Sequence, residues 1–152
     1  MANVNVKKGV IGILTGGGDV PGLNAVIKSV TYRCAEHGIE VVGVRRGWEG
    51  LTHLNLEDPA SRARYLVPLN RENTRTIDRS GGTFLHTSRT RPSHVKKQDV
   101  PQHLQGAYGQ DLNDLTPEVL KNLDWLGIDY LIPIGGDDTL SYAVRLYQEG
   151  VK

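Results

Sequence analysis

The feature that most constrains this sequence is a short apolar run that stops abruptly at glycines and carboxylates. Residues 130–134 read YLIPI, and GGDDT follows at 135–139. A short apolar run bounded by turn residues is typical of a strand buried on both faces. The glycines allow a tight turn and a close approach to a ligand, because they carry no Cβ. A carboxylate at such a turn either caps the next helix or holds a hydrated Mg²⁺ against phosphate oxygens.

The same pattern occurs near the start of the chain. Residues 10–15 form an apolar run, glycines and Asp19 follow, and Pro21 stands where a helix would begin. Proline is favoured in the first turn of a helix because its missing N–H would be unpaired there. In an open parallel sheet, the loops at the carboxyl ends of the strands line a shared crevice. We therefore expect a ligand crevice between the two glycine turns.

The spacing of apolar residues predicts an α/β fold with a mainly parallel sheet. A helix follows each glycine turn, another begins at Thr116, and a short strand covers residues 39–44. Strand, helix and strand in succession form a parallel unit with a right-handed crossover. Residues predicted to face inward are Leu23, Val26, Ile27, Val30 and Cys34 in the first helix, Val119, Leu120, Leu123 and Leu126 in the middle one, and Leu140, Ala143, Val144 and Tyr147 in the last. Cys34 is interpreted as a small core residue and not as a nucleophile.

The remaining segments carry weaker signals. Residues 45–51 are predicted to form a loop, and residues 52–80 show no clear period. Residues 92–114 are polar and are predicted to form a long surface loop or insertion, of the kind that is usually functional or mobile. His94 and His103 within it are expected to be solvated, since no partner stands at ligand spacing.

Composition excludes several classes of function and partner. The 152 residues make one domain, and the net charge of +1 argues against nucleic acid as a main partner. A single cysteine excludes a disulfide framework and favours a reducing compartment. No apolar run is long enough to cross a membrane, and residues 1–8 do not resemble a signal peptide. We expect a cytoplasmic protein that binds neither a membrane nor nucleic acid.

Two familiar phosphate motifs do not fit the first glycine turn. Leu23 and Asn24 stand where the P-loop requires Lys and Ser or Thr, and Pro21 replaces the third glycine of the dinucleotide motif. A glycine turn at a helix N-terminus can still bind an anion, with a dipole contribution of about 0.3–1 kcal/mol per charge. By itself the turn is equally compatible with a plain tight turn.

Three motifs together resemble the 6-phosphofructokinase family. They are GGDVPGLN at 17–24, GGT at 81–83 and GGDDT at 135–139, in the family's order and approximate spacing. The resemblance implies a Rossmann-like three-layer αβα sandwich and transfer of a phosphoryl group to fructose 6-phosphate, a step of glycolysis. It implies Mg²⁺ as cofactor and a homo-oligomeric enzyme. Residues 1–152 would be its donor-binding part, incomplete as a domain.

The resemblance also implies roles for single residues. Asp137 would hold Mg²⁺, and Arg89 would contact the donor phosphate, although without the resemblance it is as easily a surface arginine. The other residues expected at the donor are Gly17, Gly18, Asp19, Gly136 and Thr139, of which Thr139 is equally a helix cap. The family's general base lies in a segment that this chain does not contain. We therefore expect no useful turnover from the chain alone.

Asp138 departs from the pattern of the ATP-dependent members, which resemble this chain but have glycine there. A carboxylate at this place would lie near the α-phosphate of ATP. Like charges about 4 Å apart repel by about 4 kcal/mol at an effective dielectric near 20, or roughly three decades in affinity. Asp138 therefore favours inorganic pyrophosphate as the donor over ATP, unless it merely caps the last helix.

A second departure concerns regulation. Lys28 and Tyr32 stand where bacterial members resembling this chain have arginines for allosteric effectors, so weak allosteric control is expected. Two other interpretations remain open. One is a related kinase with a Gly-Gly-Asp motif, such as the NAD or lipid kinases. The other is a truncated, non-catalytic module that binds phosphate or nucleotide.

Overall fold

The computed structural model describes residues 9–152, and the expectation about a signal peptide therefore lies outside the described residues. Helices and strands alternate through most of this part of the chain. In order they are β1 Val10–Thr15, α1 Leu23–Glu36, β2 Glu40–Val44, α2 Trp48–His53, α3 Pro59–Tyr65, β3 Leu66–Leu69, β4 Val95–Lys96, β5 Leu112–Asn113, α4 Thr116–Trp125, β6 Tyr130–Ile134 and α5 Asp137–Gln148.

The main sheet has four strands in the order β3-β2-β1-β6. The central strand β1 runs parallel to both neighbours, and Gly12 pairs with Val42 on one side and Leu131 on the other. Only β3 is antiparallel. The predicted α/β fold with a mainly parallel sheet is confirmed, and the two strands that precede the glycine turns are direct neighbours.

Helices cover both faces of the sheet. Ile13 packs with Ile27 of α1 and Cys34, whereas the next residue, Leu14, packs with Val119 of α4 and with Leu146 of α5. Adjacent strand residues point to opposite faces, so each face of β1 carries its own cluster. Three layers result. Cys34 is buried as predicted, and burial raises the pKa of its thiol.

The predicted inward face of α5 is wrong for three of its four residues. Leu140, Val144 and Tyr147 are exposed, and only Ala143 packs against the core. The buried residues are Tyr142 and Leu146 together with Thr139. Both sets are spaced for one side of a helix, so periodicity alone does not choose between them. The buried set is selected because Tyr142 packs against Trp48. In α1, Val26 is likewise exposed, and the interior positions of that turn belong to Leu23, Asn24 and Ile27.

The predicted loop at 45–51 contains the start of a helix. Helix α2 begins at Trp48, directly after Gly47, whose φ of 56° and ψ of −134° turn the chain sharply. Trp48 and Leu51 are buried against the sheet, which explains why the helix forms despite its short length.

Residues 92–114 are more ordered than predicted. They contain the antiparallel pair β4 and β5 and three short 3-10 helices. Three of their residues, Val95, Val100 and Leu104, form a separate apolar cluster with the adjacent Leu115. His94 and His103 are exposed, and within residues 9–152 no group of three His, Cys, Asp or Glu side chains is arranged for a metal.

Strand β6 lies at one edge of the main sheet. The Gly16 N–H donates to the Ile134 carbonyl at 2.7 Å, so Ile134 faces β1. Backbone groups alternate along a strand, and Leu131 and Pro133 therefore face outward. The Leu131 N–H donates to the Lys152 carbonyl at 2.7 Å. None of the described helices is long and apolar enough to cross a membrane.

Candidate functional site

The two glycine turns lie side by side at the carboxyl edge of the sheet. The Gly16–Ile134 hydrogen bond joins them, and the Thr139 side chain packs between them. A Cβ added at Gly135 would lie 2.7 Å from the Thr139 Cβ, closer than atoms tolerate. Thr139 therefore holds the turns together instead of capping α5, and glycine is required at Gly135 by packing.

The second motif, GGT at 81–83, is tied to the first through polar side chains. The buried Asn24 donates to the Ile77 carbonyl at 2.9 Å and accepts from the Phe84 N–H at 2.7 Å. Thr15 donates to the His86 carbonyl at 2.9 Å, and its hydroxyl lies 2.8 Å from that of Thr83. These bonds place residues 83–89 beside the end of β1. Asn24 and Thr83 thus have a structural role, because their hydrogen bonds hold the segments around the first two motifs together.

A cleft of about 640 Å³, called here the main cleft, opens between the first turn, α5 and residues 88–93. Five predicted site residues line it: Gly17, Gly18, Arg89, Asp138 and Thr139. Three predicted residues do not. Gly136 belongs to the adjoining turn, and Asp137 is the first residue of α5. Asp19 lines a separate cleft.

Asp138 faces a cation across the main cleft. Its carboxylate accepts a hydrogen bond from Arg91 Nη2 at 3.0 Å, with the two side chains 78% and 66% exposed. The residue that caps α5 is Gly136, and Arg91 is the only side-chain hydrogen-bond partner of Asp138 in residues 9–152. The capping interpretation of Asp138 is therefore wrong. Arg89, in contrast, makes no ion pair within the described residues.

The opposite wall of the main cleft is aromatic. The rings of Trp48 and Tyr142 meet edge to face, with centroids 4.9 Å apart. The Tyr142 hydroxyl donates to Thr116 Oγ1 at 3.0 Å, and burial raises the pKa of Tyr142 to about 12. Sequence reasoning missed Trp48, Tyr142 and Arg91. A tryptophan beside a glycine turn is a usable signal, whereas nothing in the sequence connects Arg91 with a carboxylate 47 positions away.

The raised pKa of Tyr142 predicts a loss of stability in alkali. Its contribution is fully present below the ordinary tyrosine pKa near 10 and is lost as pH rises toward 12, because only the folded state resists ionisation. Urea midpoints measured between pH 8 and 11 should fall, and the fall should be shallower in Tyr142→Phe. A parallel decline in both proteins would contradict this assignment.

Lys28 and Tyr32, the two positions that the family resemblance relates to allosteric effectors, are already engaged within the chain. Lys28 Nζ lies 2.8 Å from Asp78 Oδ1 and donates to the Arg75 carbonyl at 2.7 Å. The hydrogen bond from Lys28 lowers the pKa of Asp78. Arg71 lies over the Tyr32 ring, 5.1 Å from its centroid. An anionic effector would have to displace these contacts.

We therefore expect a nucleoside diphosphate or phosphoenolpyruvate to change any affinity of the chain for pyrophosphate less than twofold. Calorimetric titrations of pyrophosphate, with and without each effector, measure the change in affinity. An effector concentration of about 1 mM is suitable, because it lies at the upper end of typical KM values. Asp78→Asn, which removes the ion pair of Lys28, is the matched comparison. A strong effector response in the unmodified chain would refute the expectation.

The sheet and the main cleft define an open α/β protein with a ligand crevice at the carboxyl ends of its parallel strands. The family follows from comparison with known sequences. Residues 10–152 match the family described as Phosphofructokinase, and the chain belongs to this family.

The relatives differ in the donor that their names state. The chain is 39% identical over 142 residues to ATP-dependent 6-phosphofructokinase 3 of Streptomyces coelicolor, covering 93% of this chain and 34% of that protein. It is 36% identical over 141 residues to the pyrophosphate–fructose 6-phosphate 1-phosphotransferase of Dictyoglomus thermophilum, covering 93% and 33%. The chain therefore spans about a third of these relatives, and similarity alone does not choose the donor.

The fold also matches solved structures. The phosphofructokinase of Pichia pastoris in the T-state superposes with a TM-score of 0.71 at 26% identity. The match covers 93% of this chain and 13% of that one. The likeness confirms the expected resemblance to the N-terminal part of a phosphofructokinase.

Proposed function

We propose that this chain is the donor-binding part of a phosphofructokinase that uses inorganic pyrophosphate to convert fructose 6-phosphate to fructose 1,6-bisphosphate. The observation that carries the donor choice is the Asp138 carboxylate on the wall of the main cleft. The acceptor, a homo-oligomeric assembly and a cytoplasmic role in glycolysis belong to the same proposal. We also propose that residues 1–152 are one donor-binding domain that is incomplete.

The residues of the main cleft suit a polyanion. Arg89 is free of ion pairs within residues 9–152, and the exposed Gly17 and Gly18 offer backbone that a phosphate can approach closely. Helix α5 begins in the turn beside them, so the positive end of its dipole lies next to the cleft. Arg89 would hold the transferred phosphoryl group, and the turn would orient it.

Asp137 fits the Mg²⁺ that the family resemblance implies. Its carboxylate is exposed and makes no hydrogen bond or ion pair inside the described part of the chain, so its oxygens are free. Mg²⁺ is commonly held by one or two carboxylates together with waters and substrate phosphates. Bound there, the ion would neutralise charge on the donor oxygens. Gly136 would keep this turn open to the ligand.

The reaction also needs a carboxylate within hydrogen-bond reach of the sugar hydroxyl. We assign none in this chain, in keeping with its match to a third of the relatives' length. The chain alone is expected to bind the donor without turning it over. A phosphate-release assay with fructose 6-phosphate checks the second half of this expectation.

Calorimetric titration with pyrophosphate and with ATP, each with Mg²⁺, tests the donor choice. Quenching of Trp48 fluorescence provides a second readout, best measured in a Trp125→Phe background because Trp125 is the other, exposed tryptophan. The expected result is binding of pyrophosphate and weak binding of ATP. Tight ATP binding without any response to pyrophosphate would overturn the proposal.

Arg89→Ala is expected to weaken pyrophosphate binding about 10- to 100-fold, because a charge-assisted hydrogen bond contributes about 1.5–3 kcal/mol. Arg33→Ala is the matched control, since it removes an equal charge from an exposed position on α1. Equal losses in both variants would mean that only net charge matters.

A further inference from the structure

A second cleft lies on the other side of the segment that follows Thr83. Called here the arginine cleft, it measures about 730 Å³ and is lined by Arg45, Arg46, Arg64, His86, Gly81 and Gly82 among others. Thr87 borders the arginine cleft, and the next two residues, Ser88 and Arg89, border the main cleft. The two clefts therefore share one stretch of backbone as a wall.

The lining of the arginine cleft is strongly positive. Asp19 is the one carboxylate among its lining residues. Arg46 is paired with Glu49 at 3.3 Å, whereas Arg45 and Arg64 make no ion pair within residues 9–152. Free guanidinium groups that converge on a concave surface attract phosphate and carboxylate groups. The excess of cations over carboxylates predicts an anionic ligand.

The backbone around the arginine cleft is held in an unfavourable conformation. Arg46 has a φ of 62° and His86 a φ of 59°, and these are the only non-glycine residues with positive φ in the described part of the chain. Both line this cleft. Hydrogen bonds from the Arg46 N–H to the Leu85 carbonyl at 2.7 Å and from the His86 N–H to the Thr83 carbonyl at 3.1 Å hold them in place. Such strained residues cluster at ligand sites.

Several donors at the arginine cleft lack a partner. Arg45 Nε is buried without a hydrogen-bond acceptor, and its guanidinium lies 6.0 Å from the centroid of the Phe84 ring. The N–H groups of Gly81, Gly82 and Thr83 also donate to no acceptor in residues 9–152. Consecutive free backbone N–H groups around a residue with positive φ form an anion-binding concavity, and Gly82 has a φ of 75°.

We propose that the arginine cleft binds the phosphate group of a small phosphate monoester, at a site separate from the main cleft. Guanidinium groups and backbone N–H groups together match the three terminal oxygens of a monoester. The ligand is either a phosphorylated sugar or another small phosphorylated metabolite, because both present the same group. The site does not depend on which donor occupies the main cleft.

The test is calorimetric titration of the folded chain with fructose 6-phosphate, glycerol 3-phosphate and inorganic phosphate. Arg45→Gln and Arg64→Gln should each weaken monoester binding at least tenfold and change pyrophosphate binding less than twofold. Arg64 is exposed, so its replacement tests the site even where Arg45→Gln disturbs folding. Arg79→Gln, an exposed arginine outside the cleft, is the control of equal charge.

Tighter binding of fructose 6-phosphate than of the other two ligands would identify a sugar phosphate, and equal binding would identify recognition of the phosphate group alone. Either result supports the site. Absence of monoester binding, or equal losses in Arg64→Gln and Arg79→Gln, would overturn it. Arg89→Ala distinguishes the two clefts, because it should weaken pyrophosphate binding and leave monoester binding unchanged.

Discussion

Replacing Gly47 with alanine is expected to lower the free energy of unfolding by about 2–4 kcal/mol, from backbone strain and steric overlap together. Gly47 has a φ of 56° and a ψ of −134°, a combination that glycine adopts easily and other residues avoid. A Cβ there would lie 2.8 Å from the Thr15 carbonyl oxygen. The neighbour is backbone of the central strand and cannot move aside cheaply.

Urea denaturation measures this loss, with Gly106→Ala as the matched control. Gly106 has open space around its Cα and no positive φ, so its replacement should change stability by less than about 0.5 kcal/mol. Because Trp48 follows Gly47 directly, Gly47→Ala should also weaken fluorescence changes caused by ligands in the main cleft. Equal stability of the two variants would show that the turn at Gly47 relaxes freely.

Replacing Asp138 with glycine is expected to raise the affinity for Mg²⁺–ATP about fivefold and to leave pyrophosphate affinity within about threefold. The repulsion of about 4 kcal/mol expected from the sequence assumed a dielectric near 20, whereas water-like surroundings reduce it to about 1 kcal/mol. Asp138 is 78% exposed and already paired with Arg91, so the smaller value applies. The variant also frees Arg91 to contact phosphate.

Asp138→Asn separates charge from volume, because the amide has nearly the shape of the carboxylate. If charge decides the donor, the asparagine and glycine variants should gain ATP affinity alike. If space decides, only the glycine variant should gain. An unchanged ratio of ATP to pyrophosphate affinity in both variants would remove Asp138 from the donor assignment.

The sequence predicted those parts of the fold whose signals are local. Each glycine turn follows its own apolar strand, and the parallel arrangement brings the two turns to one edge without any further information. The face of α5 was not predictable in this way, because Thr139 and Leu140 each begin an apolar stripe of helical spacing. Packing against Trp48, which lies more than 90 positions earlier, decided between them.

The parts of the candidate site that sequence reasoning missed depend on contacts between distant segments. Arg91 meets Asp138 only because residues 83–89 are bonded to the end of β1. The arginine cleft combines the end of β2 with α3 and the loop at 81–87. Charges scattered over three elements carry no periodicity, so only the assembled structure shows that they converge.

The backbone groups of Leu131 and Pro133, which face outward from β6, affect how copies of this chain behave at high concentration. An exposed strand edge invites another chain to add to it, and repeated addition leads to fibrils. Here Pro133 has no N–H to offer, and the N–H of Leu131 is occupied by the Lys152 carbonyl. An incoming strand finds no free donor at either position, so this edge of the sheet offers fewer hydrogen bonds to an added strand.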